Sequence, residues 1–140
     1  MTHFASITTF RKRLAELMNV KRGIYSGVKA EICQAFKGAT IEQIRTNRDM
    51  ILIDNEAVVI KLRLPDKRQR LSKADGYRLI YMALKHTPLV VFLDIYPKRG
   101  PLQQLDIDDK ELNRLLQEFV EEFNADTLVF HDMENDSFLC

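Results

Sequence analysis

The chain has 140 residues, 46% of them hydrophobic, with five glycines, four prolines and no low-complexity tract; that length fits one domain and that composition builds a core, excluding a disordered or collagen-like chain. Its net charge of +1 hides a division, because 19 lysines and arginines face 9 carboxylates through Gln103, a balance of +10, while 2 face 11 from Gln104 onward, a balance of −9. A basic body suits a polyanionic partner, and an acidic tail either shields it, meets a second partner, or solvates the outer face of a helix.

Residues 2–7 are rich in β-formers and predict a short strand. Phe10, Leu14, Leu17 and Met18 recur at helical spacing behind Thr8 and Thr9, either of which is placed to cap a first helix ending near Gly23. Ile24, Val28, Ile32, Ala35 and Phe36 continue the period to a stop at Gly38, so a second helix folds back on the first. From Met50 the period changes. Met50–Ile53, a turn at Asp54 and Asn55, and Ala57–Leu64 predict two antiparallel strands, closed by Pro65 and Asp66. Residues 67–75 form a linking loop that carries Lys67, Arg68, Arg70 and Lys73. Residues 76–84 predict the next strand, 85–88 turn it, and 89–96 are a near-continuous apolar strand suited to a sheet centre. These strands read as a meander. Asp108 and Asp109 start an acidic helix whose Leu112, Leu115, Leu116, Phe119, Val120 and Phe123 share a stripe, and residues 127–130 add an edge strand. The sum is one α+β domain over residues 1–140: an N-terminal helical hairpin and a C-terminal helix packed on a small antiparallel sheet, with 124–140 as an acidic C-terminal extension.

Several function classes drop out. The longest strongly apolar stretches, residues 57–60 and 89–95, are far short of the ~20 residues that cross a bilayer. The opening ten residues lack a basic start, an apolar run and a small-residue cleavage site, so the expected location is cytoplasmic, with no membrane partner. Cys33 and Cys140 are too few for a disulfide framework or a tetrathiolate site, and His3, His86 and His131 match no metal-ligand spacing. Asp106, Asp108 and Asp109 read as a helix start rather than a cation site. There is no glycine-rich phosphate loop and no nucleophile elbow, so neither metal nor cofactor is expected.

The basic residues carry the chemistry. Alternation along Ala57–Leu64 puts Lys61 and Arg63 on one sheet face and Ile60, Leu62 and Leu64 on the other. Arg78 lies on the neighbouring strand, and Lys98 and Arg99 follow the central one, so five cations can converge on one surface, with Asp66, Asp75 and Asp94 as competing partners. Phosphate is the natural ligand, because arginine offers a rigid fork and lysine a point charge. Cations around a scissile phosphate stabilise transition-state charge, and RNA suits such a site because its 2′-hydroxyl is a built-in nucleophile.

The strand Val59-Ile60-Lys61-Leu62-Arg63-Leu64 before Pro65, the basic loop, the string Gly76-Tyr77-Arg78-Leu79-Ile80-Tyr81, and an apolar run ending in Pro97-Lys98-Arg99 resemble the RelE/ParE superfamily of bacterial type II toxins. The resemblance is close over residues 57–99, and the preceding helices also fit the family order. It implies helices on an antiparallel sheet, a partner antitoxin protein, and, for the RelE branch, metal-independent cleavage of mRNA on the ribosome. Carried over by position, Lys61, Arg63 and Arg78 are the implied catalytic residues, and Lys67, Arg68, Arg70, Lys73, Lys98 and Arg99 the implied RNA-binding ones. Two positions depart from the RelE pattern: Val59 stands where RelE has a further lysine, and no tyrosine follows Arg99 through residue 107, Tyr96 being nearest. The alternatives are a ParE-like inhibitor of DNA gyrase and a non-catalytic RNA- or ribosome-binding module.

Overall fold

The structure, a computed structural model, describes residues 1–47 and 49–134. Cys140 and the end of the acidic extension lie outside the described residues. Among the described residues the chain forms β1 (His3–Ser6), α1 (Thr8–Met18), a 3-10 turn (Lys21–Gly23), α2 (Val28–Phe36), α3 (Ile41–Arg45), β2 (Met50–Ile53), β3 (Ala57–Leu64), β4 (Tyr77–Leu84), β5 (Leu89–Pro97), α4 (Asp109–Asn124) and β6 (Val129–His131). The class is α+β.

The six strands make one mixed sheet in the order β2-β3-β4-β5-β1-β6. Strands β2 to β5 are the expected antiparallel meander, but β1 breaks it by pairing parallel with β5, His3 opposite Leu89 and Ser6 opposite Phe92. Parallel pairing needs a long crossover, and everything from α1 to β4 provides it. Edge strand β6 then pairs antiparallel with β1.

Register separates the two faces. Tyr77, Tyr81 and Phe92 share one, and α1, α2 and α3 pack there: Phe10 stacks on Phe92, Phe36 meets both Phe92 and Tyr81 edge-on, and the Tyr81 hydroxyl donates to the Ile44 carbonyl at 2.8 Å. These rings are almost fully buried and anchor the core. The chain reaches the other face through Ile107, whose N–H donates to the Tyr96 hydroxyl at 3.3 Å, and α4 then buries Leu112 and Leu115.

Three local expectations change. The second helix begins at Val28 rather than Ile24, because Arg22 and Gly23 both take left-handed φ and break the period. Neither Thr8 nor Thr9 caps α1; its N-cap is Ile7, which has no side-chain acceptor, and carboxylates of α4 serve instead. Glu122 accepts the Thr8 N–H at 3.1 Å, and Glu118 accepts the Thr9 N–H at 2.9 Å and the Thr9 hydroxyl at 2.6 Å. The short helix α3 had a sequence signal, the reciprocal capping box of Thr40 and Gln43, that hydrophobic spacing alone passes over.

Candidate nucleic-acid interface

Strands β3, β4 and β5 end together, with Leu64 opposite Tyr77 and Tyr77 opposite Pro97. That end gathers the basic residues. Arg63 lies directly opposite Arg78, a like-charge pair that repels unless one member turns away. Arg78 does so. It is 6% exposed, its Nη1 donating to the carbonyls of Lys73 and Tyr77 at 2.9 and 3.1 Å and its Nη2 to Ala74 at 2.9 Å. Arg63 is left exposed to solvent.

The ammonium of Lys61 lies 3.7 Å from Asp106 Oδ1 and that of Lys98 lies 3.2 Å from the same oxygen. The hydrogen bond from Lys98, helped by the charges of Lys61, Lys98 and Arg78, holds the Asp106 carboxyl below its usual range against the opposing effect of burial. Arg99 pairs with Asp75 at 2.6 Å. Asp66 is taken by the Tyr77 hydroxyl at 2.9 Å and the Gln69 amide at 2.6 Å, and Asp94 faces Arg13 at 3.7 Å rather than Arg78.

The loop after β3 is pinned from below. Asp66 and Leu71 exchange backbone bonds at 3.0 and 2.9 Å, the Lys67 N–H donates to Glu31 of α2 at 2.7 Å, and Arg68 Nε donates to the Gly23 carbonyl at 2.9 Å. Lys67, Arg68, Arg70 and Lys73 are consequently held on the surface. The Arg68 bond also brings in Lys21 and Arg22, both exposed, which hydrophobic spacing assigns to the tail of a helix. The run Lys-Arg-Gly at the helix end was the available signal.

Other groups are withdrawn from chemistry. Burial pushes the Tyr96 phenol up to about 12, which removes it as a base near neutral pH. Val59 is 2% exposed, a position that holds an aliphatic side chain and not a free ammonium. Asp108 caps α4, accepting the Glu111 N–H at 2.8 Å. A cavity of about 610 Å³ lies between α1 and β6 and shares none of these cations. What the sheet end can do is bind and polarise an anion.

No family model, curated protein or solved structure matches the chain. The fold and the site define an α+β protein whose sheet ends in a basic rim, with one acidic residue paired to two of its lysines.

Proposed function

We propose that this protein is a RelE-like toxin that binds RNA across the basic rim and cleaves it by metal-independent phosphodiester chemistry. One observation carries the reading: two ammonium groups from separate segments, Lys61 and Lys98, converge on a single carboxylate oxygen of Asp106. A phosphate oxygen in that place receives the same two charges. On binding, the RNA phosphate exchanges with Asp106; with Lys61 assisting, the 2′-hydroxyl gives its proton to solvent and its oxygen attacks phosphorus, Lys98 and the exposed Arg63 stabilise the charge that grows on the phosphorane, and the P–O5′ bond breaks to leave a 2′,3′-cyclic phosphate and a 5′-hydroxyl that takes its proton from solvent. Arg78, bound to three carbonyls, is a positioning residue that shapes the 67–75 loop. Residues 57–99 carry the resemblance, and an acidic antitoxin segment laid on the rim is the partner it implies.

A second reading, RNA binding without cutting, is favoured by the Arg78 bonds and by the buried Tyr96 phenol, which together leave the site short of an acid and a base. Induced expression with mapping of transcript ends separates the two. New transcript ends that vanish in Lys61→Ala support cleavage; growth arrest with intact transcripts and RNA co-purifying with the protein supports binding alone. A DNA-damage response with neither overturns both and points to gyrase.

A further inference from the structure

Lys21 and Arg22 sit beside a loop that follows them by 45 residues, with Arg68 Nε on the Gly23 carbonyl at 2.9 Å and the Arg68 Cβ packed 3.5 Å from where a Gly27 Cβ would lie. The same segment reaches the end of β5: Tyr25 donates its hydroxyl to the Arg99 carbonyl at 2.8 Å and accepts the Leu102 N–H at 3.2 Å. The side chains of Tyr25 and Arg68 therefore tie the segment around the 3-10 turn to the end of β5 on one side and to the 67–75 loop on the other.

The tips of both turns are unusual in the same way. Arg22 has φ 66° and Arg70 has φ 58°, the left-handed region that glycine enters freely and other residues enter with strain. Gly23, next in the chain, adopts φ 59° without a Cβ to oppose it. At each tip an exposed guanidinium occupies a backbone position better suited to glycine. Strain kept at the surface by a charged side chain points to use of that side chain.

We propose that Arg22 and Arg70, together with Lys21 and Arg68, form a second phosphate-binding patch that carries single-stranded RNA away from the Lys61 and Lys98 pair and binds it without regard to base. This rests on the RNA reading above. The aromatic rings of Tyr25, Tyr77 and Tyr96 are at most 1% exposed and offer no face for a base to stack on, so the patch binds ionically. Base selection then has to come from elsewhere, either the Lys61 end or a larger assembly that presents the RNA.

The test is fluorescence anisotropy of labelled oligouridylate and oligoadenylate, each about a dozen nucleotides, over a salt series, with Arg22→Gly, Arg70→Gly and the double variant in the full chain. Glycine removes the charge and the strain together, so each variant is expected to melt at or above the wild-type temperature. Each should bind severalfold more weakly at low salt, and the slope of log K against log salt should flatten by about 0.7 for each phosphate that is no longer neutralised. The two oligonucleotides should bind alike. An unchanged slope in the double variant, with binding still weakened by Lys98→Ala, overturns this inference and leaves the RNA reading standing. Wild-type protein that binds neither oligonucleotide overturns both, and a clear preference for one base overturns the ionic patch.

Discussion

Lys98 Nζ lies 3.2 Å from Asp106 Oδ1, so the protein supplies its own anion to the basic rim. Asp106 is 57% exposed, and an ion pair that open to water is worth only about 0.2–1 kcal/mol. A polyanion displaces it readily. Asp106→Asn should tighten binding of a short RNA by about threefold to tenfold at low salt, since it removes both the competitor and a repulsive charge. Anisotropy checks this, and the gain should shrink as salt is raised. Equal affinity of the variant and wild type at low salt would separate Asp106 from the binding site.

Arg78 is expected to matter first for stability. Three carbonyl bonds to a buried guanidinium make Arg78→Ala a loss of about 2–4 kcal/mol, with the Lys73 and Ala74 carbonyls of the loop released. Thermal unfolding measures the loss, and limited proteolysis should find new cleavage within residues 67–75. A variant that melts like wild type yet fails to cut RNA would instead assign Arg78 to the chemistry.

Thr9 and Glu118 join the start of α1 to α4 through a hydroxyl bond of 2.6 Å and an N–H bond of 2.9 Å. Against burial, these bonds together with hydrogen bonds from Glu122 and Arg114 hold the Glu118 carboxyl below its ordinary range, while burial raises its neighbour Glu122. Glu118→Ala should cost about 1–2 kcal/mol, the worth of a helix cap. Equilibrium denaturation reads it, and Thr9→Val should give a smaller loss that is not additive with the first.

Asp94 sets a pH dependence. Burial pushes its carboxyl up to about 6, opposed by Arg13, by the Ile95 N–H and by Arg114, and reinforced by Glu111. The folded state therefore holds this proton more tightly than the unfolded chain does. Its contribution is fully present below about 4 and is lost as pH rises through about 6. Over the same window buried His131, pushed down to about 4, acts with the opposite sign, so the Asp94 contribution is read as a difference between proteins: the stability of wild type relative to Asp94→Asn should fall with rising pH by on the order of 3 kcal/mol. Parallel pH curves for the two proteins would remove Asp94 as a source of the dependence.

Gly76 has no room for a side chain: a Cβ there would lie 2.0 Å from the Leu64 carbonyl oxygen and 2.8 Å from the Pro65 carbonyl carbon. Both neighbours are backbone at the point where β3 leaves the sheet and β4 enters it, so neither can yield without breaking the pairing of Leu64 with Tyr77. Gly76→Ala should yield little folded protein, or protein whose melting temperature is well below wild type. A wild-type melting curve would disprove the close approach.

Elements whose signal is local were legible in the chain before any contact between them was known. Alternation and β-branching placed Met50–Ile53 and Ala57–Leu64 to the residue, the apolar run located β5, and Asp108 ahead of a leucine stripe located the start of α4. The cation-bearing strand and loop were legible for the same reason, since a period of two assigns faces without knowledge of neighbours. Partners distant in sequence set the rest, which no local pattern encodes. Packing put β1 beside β5 in parallel, capped α1 with carboxylates 109 and 114 residues away, and laid the turn at Arg22 against Arg68. It also determined which cations stay available. Lys61 and Arg78 look alike in sequence, but one reaches an exposed carboxylate while the other is consumed by two loop carbonyls and the Tyr77 carbonyl of its own strand, because backbone acceptors beside a buried guanidinium bind it before any ligand can.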